Sequence, residues 1–110
     1  MSSLSTHVLD AVLGEPAVGM QVQLFGSGGS DGAPIGDGRT NSDGRIPGLA
    51  PAQLEPGLYR LVFATGDYFS SRAGTCFYPE VVIAFEVDED RHYHVPLLLS
   101  PFAYTTYRGS

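Results

Sequence analysis

Residues 92–110 read HYHVPLLLSPFAYTTYRGS and contain two strand-like runs on either side of a Ser-Pro corner. Side chains of a strand alternate between its two faces. His92 and His94 are therefore expected on one face, and Tyr93 and Val95 on the other. The pattern predicts strands over residues 92–99 and 102–108, and a terminus this rich in polar and aromatic residues is expected to lie within a functional site.

The same period-two alternation recurs upstream of this segment. It predicts four further strands, at residues 4–9, 20–25, 58–64 and 81–87. The segment 26–38 is rich in Gly, Ser and Asp, and it predicts a long loop with at most a short strand near residues 33–35. Asp43-Gly44 supplies the positive φ that a tight turn requires, which would place Arg45 just past the turn.

One segment departs from the strand pattern. Residues 65–74 lose the period-two alternation, and they predict a single short helix over residues 68–73, capped by Asp67 and stopped by Gly74. Seven or eight short strands separated by Gly and Pro turns favour an all-β fold, a two-sheet antiparallel sandwich. At 110 residues the chain is expected to be a single domain, residues 1–110.

Charge and composition exclude several classes of partner. The net charge is −6 with no basic cluster, so nucleic-acid binding is not expected. No apolar run approaches the roughly 20 residues of a membrane span, and the N-terminal residues lack a secretory pattern, so we expect a soluble, cytoplasmic protein. The lone Cys76 is expected to be a small semi-buried filler. The first and last strands carry few charges, which predicts association between exposed strand edges.

The chemically capable residues are few. A metal site needs three or four ligands, but His92 and His94 have only His7 as an obvious third, so no metal is expected. Covalent catalysis is disfavoured, because Gly109-Ser110 does not form the nucleophile elbow of a serine hydrolase. Neutral imidazoles that activate water, with arginines that hold an anion, remain as a combination that needs no cofactor.

Four motifs carry a resemblance to a known family. They are LSTHVLD at residues 4–10, TNSDGR at 40–45, HYHVPLLLSP at 92–101 and the terminal YRGS at 107–110. Together they resemble the 5-hydroxyisourate hydrolases, the transthyretin-related enzymes of purine (urate) catabolism. The resemblance implies a transthyretin-like (prealbumin-like) sandwich and a homotetramer, a dimer of dimers with sites where subunits meet.

The resemblance also implies a reaction and a set of residues for it. The reaction is the hydrolytic ring opening of 5-hydroxyisourate to 2-oxo-4-hydroxy-4-carboxy-5-ureidoimidazoline. The implied catalytic residues are His7, Arg45, His94 and Ser110. The implied substrate-binding residues are His7, Arg45, Tyr107, Arg108, Gly109 and Ser110. His92 falls outside both sets, and it is expected to support the site or the fold.

Two alternatives stay open at the level of the sequence. A prealbumin-like binding module would use the Asp-Gly turn and the Pro56-Gly57 strand start only as scaffold. A transthyretin-like carrier of small molecules would bind a ligand without turnover. Neither alternative accounts for His7, His94 and the terminal tetrapeptide.

Overall fold

The computed structural model describes residues 2–26, 33–72 and 74–109. Its described part contains eight strands and one helix. In chain order these are β1 Ser3–Asp10, β2 Glu15–Pro16, β3 Gln21–Phe25, β4 Gly36–Arg39, β5 Gly57–Phe63, α1 Thr65–Ser70, β6 Val81–Val87, β7 His92–Ser100 and β8 Ala103–Thr106.

The strands form two four-stranded sheets, in the orders β2-β1-β7-β8 and β4-β3-β5-β6. This confirms the predicted two-sheet all-β fold, with one difference in strand direction. β1 and β7 pair in parallel, from Ser3 opposite His92 to Asp10 opposite Leu99, whereas the other pairs are antiparallel. A hairpin forces antiparallel pairing, but the chain builds the whole second sheet between β1 and β7, so no hairpin constrains their direction.

The hydrophobic core contains residues from both sheets. Val8 of β1, Leu24 of β3, Leu61 of β5 and Leu97 of β7 are all fully buried. Each such side chain contributes about 1.5–3 kcal/mol relative to an exposed position. A one-residue slip of any of these strands would turn its apolar set to solvent, so the core fixes the register and thereby which residues face outward.

The helix begins three residues before its predicted start. Asp67 lies in its first turn and does not cap it. Tertiary contacts position the helix start, because the Thr65 hydroxyl donates to the carbonyl of Tyr78 at 2.5 Å and the Gly66 amide donates to the carbonyl of Pro79 at 2.7 Å. The helix also ends three residues earlier than predicted, at Ser70, with Ser71 as its C-cap. Gly74 lies beyond this end, where its φ is +77° and its amide donates to the carbonyl of Phe69 at 2.8 Å.

The bounds of β4 and the position of β1 within its sheet also differ from the prediction. The short strand after the long loop is β4 at Gly36–Arg39, and residues 27–32 of that loop lie outside the described residues. The first long strand is not at an edge, since β2 covers one side of β1 and β7 the other. The sheets instead end at β2 and β8, and at β4 and β6. Among the described residues, no helix has the length and hydrophobicity of a membrane-spanning helix.

Candidate active site

The outer face of β1 and β7 carries two of the predicted catalytic side chains. Register places Ser5 opposite His94, and His7 opposite Pro96. Thr6 and Val8 are buried, so the alternation of β1 turns Ser5 and His7 away from the core. His7 and His94 thus lie on one face of two paired strands, two residues apart along the strand direction.

A tight turn brings Arg45 to the same face. The Asn41 side-chain oxygen accepts hydrogen bonds from the amides of Asp43 at 2.9 Å and Arg45 at 3.0 Å. Gly44 has a φ of +76°, and its carbonyl accepts from the Val8 amide at 2.8 Å. Arg45 then forms a β-bridge with His7. A side chain on Gly44 would collide with the carbonyl of Val8, so glycine is required both for the φ and for the approach to β1.

The C-terminal segment packs against His94 on the side of β7 opposite β1. The Gly109 amide donates to the His94 carbonyl at 2.8 Å, and the two residues form a β-bridge. A Cβ on Gly109 would lie 2.5 Å from Cδ2 of the His94 ring. The Thr106 hydroxyl donates to the carbonyl of Pro96 at 2.8 Å and holds the preceding strand in place. The backbone of Gly109 is therefore a wall of the site.

These neighbours set the protonation of His94. Its pKa is lowered from the ordinary value, first by burial and then by the positive charge of Arg45 and by the other two histidines. A backbone hydrogen bond to Ser5 acts in the opposite direction and raises the pKa. His94 is therefore a neutral imidazole at neutral pH, with one ring nitrogen able to accept a proton beside a permanent cation.

A chain of hydrogen bonds links the remaining histidine to this site. The Ser3 hydroxyl lies 2.5 Å from Nδ1 of His92, the Ser5 hydroxyl lies 2.8 Å from Nε2 of His92, and it lies 2.7 Å from Nδ1 of His94. The shared face of His92 and His94 is thus confirmed. Sequence reasoning missed both serines, although their alternation with His7 on β1 was visible, because the register between β1 and β7 was unknown.

Tyr107 and Arg108 contribute to a cavity whose lining does not include His7, Arg45 or His94. They line this cavity, of about 320 Å³, between β6 and the C-terminal segment, together with Phe85, Tyr93 and other residues. Gly109 faces outward with His94, so alternation along the extended segment turns Arg108 to the opposite face. The same alternation leaves Tyr107 on the side of Gly109 and His94. The contact of Tyr107 and Arg108 with substrate stays a prediction.

The remaining predictions concern Ser110, Cys76 and metal binding. Ser110 lies outside the described residues, so its catalytic role stays a prediction. Cys76 is partly buried, packs against the core, and its thiol donates to the carbonyl of Tyr78 at 3.0 Å, as expected of a filler. In the part of the chain that the structure describes, no group of three or more His, Cys, Asp or Glu residues is arranged to hold a metal ion.

Comparison with known proteins identifies the family of this chain. The profile of the HIUase/Transthyretin family matches residues 4–109. The chain belongs to that family. Within the HIUase/Transthyretin family it is similar to the 5-hydroxyisourate hydrolase of Salmonella dublin, with 44% identity over 109 residues that cover 97% of this chain and 80% of the relative.

Solved structures of the HIUase/Transthyretin family also match. One is the 5-hydroxyisourate hydrolase of Klebsiella pneumoniae, with a TM-score of 0.85 and 40% identity, covering 100% of this chain and 94% of that one. Another is sea bream transthyretin in complex with thyroxine, with a TM-score of 0.87 and 34% identity, covering 96% of this chain and 93% of that one. The sandwich is thus shared by an enzyme and a thyroxine-binding protein, so the side chains of the site must decide the function.

Proposed function

We propose that the protein is a cofactor-free 5-hydroxyisourate hydrolase. The observation that carries the proposal is the placement of His94 near Arg45 and His7 on the outer face of β1 and β7. Burial and the charge of Arg45 lower the pKa of His94 there, which favours the neutral imidazole. The names of the similar hydrolases from Salmonella and Klebsiella support the choice of substrate. A carrier or a binding module does not need a general base next to a cation. The site therefore favours an enzyme over a carrier and over a binding module.

The chemistry follows from the roles these groups can take. His94, with His7, orients a water molecule and removes its proton as the oxygen attacks the ring carbonyl of the substrate. Arg45 stabilises the negative charge that develops on the ring through charge-assisted hydrogen bonds. The C–N bond of the ring then breaks, and the proton taken from water returns to the leaving nitrogen. General-base assistance of this kind contributes about 10²–10⁴-fold to a rate.

The test is a direct assay of the reaction. Urate oxidase generates 5-hydroxyisourate in the cuvette, and its absorbance decay is followed with and without the protein. We expect faster decay with the wild type, and at least about 100-fold slower catalysis by His94→Asn, because the general base is lost. Ser71→Ala, which removes an exposed hydroxyl on the helix side of the fold, is the matched control and should keep full activity. Wild-type decay equal to the uncatalysed decay would exclude the proposed function.

The proposal includes assembly into a homotetramer in the cytoplasm. Edge strand β6 carries one charged residue, Glu86, and edge strand β8 carries none. Exposed apolar side chains accompany these edges, including Val82 and Tyr104. Uncharged edges of this kind favour pairing with a second copy. The single cysteine, which can form no intramolecular disulfide, suits a reducing compartment.

Sedimentation of the wild type and of Val82→Lys tests this assembly. A lysine on an exposed edge strand blocks edge pairing. We therefore expect the variant to sediment as a smaller species than the wild type, with an unchanged far-UV spectrum. A monomeric wild type would contradict the tetramer while leaving the hydrolase assay as the test of the chemistry.

A further inference from the structure

Four polar groups on β1 and β7 form one continuous chain of hydrogen bonds. It runs from the Ser3 hydroxyl to Nδ1 of His92 at 2.5 Å, from Nε2 of His92 to the Ser5 hydroxyl at 2.8 Å, and from that hydroxyl to Nδ1 of His94 at 2.7 Å. His92 is exposed, whereas His94 is partly buried. The chain therefore leads from the candidate site to solvent. We refer to these four residues as the serine-histidine chain.

In two arrangements of this chain the Ser5 hydroxyl donates to one imidazole and accepts from the other. A hydroxyl has one proton to donate, and Ser5 touches two ring nitrogens. When both imidazoles are neutral and Ser5 donates to His92, Nδ1 of His94 must carry a proton and donate to Ser5. When Ser5 donates to His94 instead, Nε2 of His92 must carry the proton. The tautomers of the two histidines are thus coupled through one hydroxyl.

Only one of the two arrangements prepares His94 to act as a base. With Nδ1 of His94 protonated and bonded to Ser5, the other ring nitrogen, Nε2, has a free lone pair. His92 then accepts from Ser5 at Nε2 and donates to Ser3 from Nδ1. The reversed arrangement puts a proton on Nε2 of His94 and removes its basicity toward the site.

We propose that the serine-histidine chain is a proton relay, in which Ser5 fixes the tautomer of His94 and His92 carries the proton between His94 and solvent. The inference rests on the proposed hydrolase function, because it assigns His94 as the base of that reaction. Ser5 and His92 are positioning residues in this scheme, and they act through His94 without touching the substrate.

Proton transfer along the relay is balanced. As Nε2 of His94 takes a proton from water, its Nδ1 proton moves to Ser5, and the Ser5 proton moves to Nε2 of His92. The Nδ1 proton of His92 then moves to Ser3, and the Ser3 hydroxyl proton leaves to bulk water. One proton enters, one leaves, and every member ends neutral in the reversed arrangement. The reverse sequence supplies a proton when the leaving nitrogen needs one.

Charge explains why such a relay is useful at this site. Arg45, His7 and His92 are the charged or titratable groups that act on His94 from the elements around it, and each disfavours a positive imidazole there. Burial acts in the same direction. A base that kept the proton from water would become a cation beside Arg45. Transfer along the chain avoids that cation, and it places the exchange with solvent at the exposed His92.

Tautomers can be measured without any assay of activity. The chain contains only three histidines, so ¹⁵N NMR of the full-length protein resolves their ring nitrogens. In the wild type near neutral pH we expect His94 to be protonated at Nδ1. Ser5→Ala should shift it toward the Nε2 form, whereas Ser5→Thr, which keeps the hydroxyl and suits a strand, should retain the wild-type tautomer. An unchanged His94 tautomer in Ser5→Ala would overturn the proposal.

Kinetics test the transfer of the proton. Ser5→Ala should lower kcat by about tenfold or more with KM unchanged, and Ser5→Thr should restore it, as expected when the geometry of a general base is disturbed. His92→Gln can hydrogen-bond Ser5 but cannot pass a proton, so its reduced kcat should rise with added imidazole buffer. A wild-type kcat in His92→Gln at low buffer would overturn the relay. Absence of wild-type turnover would instead refute the hydrolase, while the NMR result would still decide the tautomer coupling.

Discussion

Gly109→Ala tests whether the C-terminal segment holds His94 in its working position. The added Cβ would lie 2.5 Å from Cδ2 and 3.2 Å from Cγ of the imidazole. Carbon atoms in contact prefer about 3.5–4.0 Å, so the ring or the segment must move by about 1 Å or more. Gly109 has no positive φ, so alanine adds no backbone strain and the effect is confined to this contact.

A misplacement of about 1 Å costs on the order of 100-fold in rate, which corresponds to about 2.7 kcal/mol of transition-state stabilisation. We therefore expect kcat/KM for 5-hydroxyisourate, generated by urate oxidase, to fall by about 100-fold. Gly26→Ala is the matched control, since Gly26 also lacks a positive φ and its Cβ would meet Ile35 at an ordinary 3.4 Å. Full activity of Gly109→Ala, with the same thermal unfolding midpoint as the control, would refute this account of the site.

Three further outcomes follow from the charges and buried hydrogen bonds. Because the pKa of His94 is lowered, the acid limb of kcat/KM should lie below pH 6.5. Arg45→Ala removes a positive charge that lowers this pKa, so NMR should show the His94 titration at higher pH in the variant. An unchanged titration would contradict the assigned cause. Tyr68→Phe removes a 2.7 Å hydrogen bond to the buried Asp10 carboxylate and should cost about 1.5–3 kcal/mol in urea unfolding, whereas an unchanged midpoint would show that the bond contributes nothing. Burial, with Asp10, raises the pKa of Tyr68 to about 12, so Tyr68 loses its phenol proton at lower pH in the unfolded chain than in the folded one. The free energy of unfolding should therefore fall as pH rises from 10 toward about 12. In Tyr68→Phe this fall should be smaller.

Local patterns were sufficient for the strands that bury one face. In β5, Tyr59, Leu61 and Phe63 are buried while Leu58 and Arg60 are exposed, as the alternation predicted. The Asp43-Gly44 turn and the position of Arg45 were also predictable, because an Asp-Gly pair favours a turn with a positive φ at the glycine. These features depend on interactions within a few residues of sequence.

Features that depend on distant partners were not predictable. The helix begins at Thr65 because of contacts with Tyr78 and Pro79, which sequence propensity at Asp67 could not reveal. The parallel pairing that sets Ser5 opposite His94 arises from the packing of the whole sheet. For the same reason the family resemblance indicated His7, Arg45 and His94 but left the role of His92 undefined.

The parallel pairing of β1 with β7 has a consequence for how the molecule folds. Ser3 and His92 are 89 residues apart in sequence, so this contact requires closing a loop that contains the entire second sheet. Contacts of such high sequence separation slow folding, whereas β7 and β8 are joined over a short connection between Ser100 and Ala103. During synthesis β7 is made long after β1, so the apolar side chains of β1 lack this partner strand until then. Exposed apolar surface of this kind favours aggregation. His7 and His94 therefore come together late in folding, when these two strands pair.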